Sequence, residues 1–332
     1  MVTSRPILDI HVHLFSLNEY TTGCYISPQL QRSLLFWIIQ LRLRIRSSAP
    51  LSIQDEKLQA QIRHDLDIAN GVGRIVILAL DAVYDEQGRE DRARTTFFVP
   101  NDYVFDRARE DPRLLPGASV NPFRVDALAH LDRCANAGAV LIKWIPNTQG
   151  FDPSNRRLTR FYQRLRDLGL PLLCHTGPEY SLKAINQDYG NPGNLVRALD
   201  EGVTVIAAHG GGSDLRNWGK HFNGFVEMLL RYPNLYTDTS ALCLPPRIPY
   251  LLKLLRIPEV HDKILHGSDY PLPISAWYFL GILPIRTILE IDRIPSTIER
   301  DYRIKKALGF PDKIFTAAWD LLCCRQTSVR PF

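Results

Sequence analysis

Short apolar runs punctuate the chain at regular intervals, with amphipathic stretches of helical length between them. The runs cover residues 7–12, 74–80, 114–120, 140–145, 171–175, 203–209, 235–239 and 263–266. The stretches at 126–137, 157–168, 193–201 and 217–231 repeat their apolar positions with a helical period. Near-continuous apolar strands bounded by helices predict a parallel sheet buried on both faces. His175, His209, Asp238 and Gly267 follow one another at spacings of 34, 29 and 29 residues, about the length of one βα unit. Eight such units predict a (β/α)8 TIM barrel, read as one domain over 1–332. A doubly wound open sheet is the second architecture, and the lack of a glycine-rich phosphate loop after the first run argues against it.

Two regions exceed a minimal barrel. An insertion over about 14–50 separates the first strand from its helix. Within it, residues 30–45 form a strongly apolar segment ending in arginines, which predicts one helix. Such a helix packs as a plain insertion, or serves as a lid or subunit contact of a homo-oligomer over the barrel mouth. After Ser275, segments 299–308 and 311–322 predict extra C-terminal helices in the outer layer.

Polar residues interrupt the strands at their C-terminal ends. In Asp9-Ile-His11-Val-His13, a side-chain period of two puts the three polar residues on one face. His11 and His13 would then stand side by side, a geometry that suits two imidazoles on one metal ion. Lys143, His175, His209 and Asp269 each stand where another apolar run stops. Burying such groups in five separate places is costly without compensation. In a closed barrel these ends converge on one mouth, where the active sites of this fold lie. Asp238 and Ser240, at the seventh strand end, read better as a cap for the next helix than as pocket lining. His64, His130, His221 and His261 fall in helical or loop stretches and read as surface residues. The Gly210-Gly211-Gly212 run lacks a phosphate-loop ending and suits close backbone approach to the site.

The ordered set resembles the amidohydrolase superfamily, in its amidohydrolase-related (amidohydrolase 2) branch. The segments that carry the resemblance are 8–13, Ile142-Lys143 with Gln149-Gly150-Phe151, Cys174-His175-Thr176-Gly177, Ala208-His209-Gly210-Gly211 and His266-Gly267-Ser268-Asp269-Tyr270-Pro271. The resemblance implies a metal-dependent hydrolase that activates a water against an amide, lactone or similar bond. Its alternative is a nonoxidative decarboxylase of an aromatic or unsaturated carboxylic acid. It implies that His11, His13, His175 and Asp269 hold a divalent metal ion, with zinc suiting three imidazoles and a carboxylate. Asp269 would also accept a proton from water, and His209 would polarise or protonate the substrate. Asp9 would orient a ligand or accept a hydrogen bond at the strand end. Lys143 would join the metal only if carboxylated and bridging two ions. In a one-ion site it would bind a substrate carboxylate or pair with an acid.

Composition narrows the class without changing this picture. The 332 residues are 45% hydrophobic and 23% charged, which excludes a disordered or collagen-like chain. Forty Lys+Arg against 35 Asp+Glu give +5, and no basic cluster is interleaved with aromatics as a nucleic-acid groove requires. The six cysteines show no C-x-x-C spacing. Neither a secretory h-region nor an uncharged apolar run of spanning length is found, so a cytoplasmic enzyme acting on a small molecule is expected.

Overall fold

The computed structural model describes residues 5–42, 50–212 and 221–322. Each of the eight apolar runs forms a strand: β1 (Ile7–His13), β2 (Val72–Leu78), β3 (Leu114–Ala118), β4 (Leu141–Trp144), β5 (Leu172–Cys174), β6 (Val205–Ala207), β7 (Leu235–Asp238) and β8 (Ile264–Leu265). They pair parallel in chain order from β1 to β8. The ring is drawn together between its ends by Ile10 N–H donating to His266 O (3.0 Å), Asp269 N–H to His11 O (2.9 Å) and His13 N–H to Tyr270 O (2.8 Å). This is a nearly closed (β/α)8 barrel. Among the described residues, no helix is long and apolar enough to cross a membrane.

Two apolar layers flank the strands. Leu8, Ile10, Val76, Leu78, Leu141, Leu173, Ile206 and Leu265 belong to one buried cluster, which also includes Trp319 and Leu322. Trp319 is held there by its indole N–H, which donates to Pro6 O at 2.7 Å. A larger cluster joins the other strand face to the helices, through residues such as Val12, Ile142 and Leu172.

Several helices are shorter than their periodic stretches. Ala127–Asn136 matches its prediction, whereas 157–168 divides into a 3-10 turn, Arg156–Leu158, and the helix Thr159–Asp167. The stretch 193–201 likewise begins as a 3-10 turn at Pro192–Leu195 before Val196–Asp200. The predicted 217–231 helix is Phe222–Arg231, and its first four positions lie outside the described residues. At the C-terminal end, Thr297–Ala307 is helical and 311–322 divides into Asp312–Phe315 and Ala318–Leu322.

The insertion differs from one continuous helix. Its apolar segment forms two pieces, Pro28–Gln31 and Leu34–Arg42, and residues 43–49 lie outside the described residues. Ser27 and Ser33 each accept a backbone N–H three residues on, from Leu30 (3.3 Å) and Phe36 (3.1 Å). Such side chains favour helix starts, so Ser33 begins a new helix where continuity was predicted. A short antiparallel pair, Tyr25–Ile26 with Phe97–Phe98, ties the insertion to the segment after β2. Leu30, Phe36 and Ile39 face a cavity at the barrel mouth, while Leu34, Trp37 and Leu41 are exposed.

Candidate metal centre

The first strand does not keep a strict two-residue alternation. Its register against β2 shifts between Asp9 and Val12. Leu8 and Ile10 join the inner apolar cluster, and His11 nevertheless turns toward Lys143 across the barrel. Asp9 therefore leaves the histidine face assigned to it from the sequence. Its Oδ1 accepts the backbone N–H groups of His11 and Ser268, each at 3.0 Å, so it is a strand-end acceptor. Burial raises its pKa to about 7.

The remaining strand ends converge. Asp269 Oδ1 stands 3.5 Å from His11 Nε2 and 3.3 Å from His13 Nε2. Lys143 Nζ donates to His11 Nε2 at 2.8 Å. His209 Nε2 lies 3.0 Å from His175 Nδ1, and the His11 and His209 ring centroids are 5.2 Å apart. His13, Lys143, His175, His209 and Asp269 line the same cavity, with His11 buried behind them. All six polar residues singled out for the site thus come together, while Asp9 does not line the cavity. His64, His130, His221 and His261 do not line it either.

Asp238 is the larger correction. Instead of capping a helix, it accepts His11 Nδ1–H through Oδ2 at 2.7 Å and His209 N–H through Oδ1 at 2.9 Å. Ser240 adds its N–H (3.1 Å) and its hydroxyl (2.5 Å) to the same Oδ1. These contacts decide where the imidazole protons sit. A carboxylate only accepts, so His11 carries its proton on Nδ1 and presents a lone pair at Nε2. His209 Nδ1 faces the Ser240 carbonyl (3.1 Å) and hydroxyl (2.8 Å). The carbonyl only accepts, so His209 is also protonated at Nδ1, and its Nε2 holds a lone pair. A neutral His209 can therefore accept but not donate at Nε2, where His175 Nδ1 lies 3.0 Å away.

The electrostatics keep these roles. Burial, then the nearby Arg247 charge, depresses the His209 pKa to about 3. Burial also lowers His11 and His175. Burial alone would raise Asp238 and Asp269, but the facing histidines hold both below the usual carboxylate range. Desolvation lowers Lys143, which favours a neutral amine.

The donor set fits a divalent ion. The Nε2 atoms of His11 and His13 stand 3.5 and 3.3 Å from one oxygen of an ionised carboxylate. That is close to the edge, about 3.4 Å, of a tetrahedron with 2.0–2.1 Å metal–nitrogen bonds. Buried His175 Nε2 has no hydrogen-bond partner among the described residues, a cost that a cation nearby would offset.

Two supporting residues, Glu179 and Lys305, escaped the sequence reading, and a third, Asp238, was named there in another role. Asp238 had the same signal as the others, a polar residue closing an apolar run. Glu179 lines the cavity four residues after His175, with Oε2 3.6 Å from its Nδ1, and burial raises its pKa. Lys305 is fully buried, pairs with Asp301 and donates to Gly267 O at 2.7 Å, bracing the turn that carries Asp269. In sequence, Asp301 and Lys305 look like an ordinary solvated i,i+4 pair. The Gly210-Gly211-Gly212 run serves loop packing: a Cβ on Gly212 would lie 2.1 Å from Gly177 N. The close approach is between the loops after β5 and β6.

The family described as amidohydrolase matches residues 9–288. Among solved structures, an uncharacterised TIM-barrel protein from Bordetella bronchiseptica is 19% identical with a TM-score of 0.59, covering 91% of this chain and 100% of its own. A putative 2-pyrone-4,6-dicarboxylic acid hydrolase from Pseudomonas putida is 15% identical, with a TM-score of 0.54 and coverage of 98% and 99%. A 2,6-dihydroxybenzoate decarboxylase from Rhizobium is 17% identical, with a TM-score of 0.55 and coverage of 96% and 99%. At these identities the likeness establishes the fold. No protein of curated function matches the chain.

Two outcomes follow from the geometry. Asp238→Asn should weaken divalent-metal affinity by about 10- to 100-fold, because the amide no longer fixes the His11 tautomer. Competition against a chromophoric chelator measures this, and unchanged affinity would remove Asp238 from the site. The second outcome concerns pH. The His209 pKa lies near 3 when folded and near 6.5 when unfolded, so its contribution to stability is complete above 6.5 and falls as pH drops below it. Between about pH 7 and about pH 5.5, metal-free wild type should lose roughly 1 kcal/mol more stability than His209→Asn. Urea midpoints at the two pH values check this, and parallel losses would refute a buried neutral His209.

Proposed function

As the chain belongs to the amidohydrolase family, we propose that it is a metal-dependent hydrolase acting on an amide, lactone or similar bond of a small molecule. The observation that carries this reading is Asp269 Oδ1 set between His11 Nε2 and His13 Nε2 at the cavity wall. His11, His13, His175 and Asp269 would hold one divalent ion, with zinc the best match to three imidazoles and a carboxylate. When bound, the ion supplies Lewis acidity and lowers the pKa of water toward neutrality.

The protein's own groups move the protons. Asp269, ionised and partly open to the cavity, accepts the proton of the attacking water as the new C–O bond forms. It returns that proton to the leaving nitrogen or oxygen as the scissile bond breaks. His209 Nε2, 3.0 Å from His175 Nδ1, would exchange that contact for an O–H in the cavity to accept from it. Any positive charge it gains is relayed through Nδ1–H and Ser240 Oγ to Asp238. Lys143 stays unmodified and lines the cavity as a donor to a substrate carbonyl or carboxylate.

A lyase that releases carbon dioxide is the second reading. The apolar cavity wall, which would strip water from a substrate carboxylate, is the observation in its favour. A substrate panel of lactones and amides, run beside carbon dioxide release from aromatic acids, separates the two. On the substrate so found, Asp269→Asn should lower turnover at least about a hundredfold, because an amide can still ligate but cannot accept the proton. Metal content should fall less than in His13→Ala. Near-normal turnover in Asp269→Asn would refute the proton-transfer role.

A further inference from the structure

The cavity at the barrel mouth is chemically lopsided. Its polar groups, Lys143, His175, Glu179, His209 and Asp269 with His13, come from the strand ends and the loop after β5. Apart from Ser181, the rest of the wall is apolar: Phe15, Leu30, Phe36, Ile39, Phe97 and Leu272 are representative. Those residues belong to the insertion, to the short strand that tethers it and to the loop after β8, so they lie outside the barrel strands. Glu179 is already engaged, its Oε1 accepting the N–H groups of Ser181 (2.5 Å) and Leu182 (2.9 Å). Among the described residues, Lys143 is the only lysine or arginine lining the cavity. Arg247 adds a positive charge on the side of His175, Glu179 and His209 without lining the cavity, so a second anionic group set against the apolar wall would be buried without a partner, which is costly. The cavity volume, ≈ 120 Å³, is comparable with the roughly 150 Å³ apolar cavity that takes up benzene.

We propose that the substrate joins one polar head to an uncharged apolar body, about one ring or a short branched chain in size, and that the insertion selects for that body. The head rests on the hydrolase reading above; the body rests on the wall alone. Leu30, Phe36 and Ile39 are thus specificity-determining residues, and the insertion acts as a roof over the site.

Fluorine-19 NMR with three probes tests this on chelator-treated and zinc-loaded protein. Fluorobenzene should bind saturably to both forms, since its site does not involve the ion. On zinc-loaded protein, 4-fluorobenzoate should bind at least about tenfold more tightly than 5-fluoroisophthalate, which carries a second carboxylate. Ile39→Lys, at a half-buried position, should weaken fluorobenzene by about tenfold and remove the preference for one carboxylate. Absence of saturable fluorobenzene binding, or tighter binding of the dicarboxylate to wild type, would overturn the proposal. If the protein takes up no metal, the hydrolase reading fails while fluorobenzene binding still decides the apolar body.

Discussion

The Asp238 carboxylate, buried at the end of β7, is the group on which the barrel mouth depends. One of its oxygens accepts the His11 proton, and the other gathers the His209 and Ser240 amides with the Ser240 hydroxyl. An isolated charge at that depth would be unstable, but four donors compensate it. In return it assigns the tautomer of His11 outright and that of His209 through Ser240. The Nε2 of His11 is thereby left as an acceptor toward Lys143, behind the cavity wall, and that of His209 as an acceptor in the wall itself.

The backbone at two of these positions is held against its preference. His209 and Asp269 both adopt left-handed φ values, 62° and 63°, at an order of 1–3 kcal/mol for each non-glycine residue. Hydrogen bonds from the same residues hold the conformation: His209 N–H to Asp238 and Asp269 N–H to His11 O. Lys305 braces the second turn from below through Gly267 O. In each case the turn swings a side chain out of the strand line and into the mouth.

That swing marks the limit of what periodicity reveals. All eight strands were legible, because a parallel strand buried on both faces is a short apolar run bounded by polar helices. The polar residues closing those runs were legible for the same reason: a charged or imidazole group has no place in such a run without a partner. Side-chain direction was not legible wherever the backbone departed from ideal geometry. The shift between Asp9 and Val12 moved Asp9 off the histidine face, and no feature of Asp-Ile-His-Val-His announces it. Asp238 was misassigned because a helix cap and a buried orienting carboxylate look alike until the neighbouring strands are in place. Lys305 was invisible because its burial depends on a helix docking some forty residues beyond the turn it supports. The insertion's apolar character was evident and a lid over the mouth was one reading of it, but its division at Ser33 emerged only with the fold.

The claim that these strand ends form a one-ion centre can be measured directly. Chelator-stripped protein titrated with zinc and followed by native mass spectrometry should take up one ion per chain, with no added mass of carbon dioxide on Lys143. His11→Ala, folded by circular dichroism, should take up none. Failure of the wild-type protein to bind zinc or any other divalent ion would contradict the centre itself. Uptake of two ions with a carboxylated Lys143 would contradict the one-ion form and place His175 and His209 on the second ion.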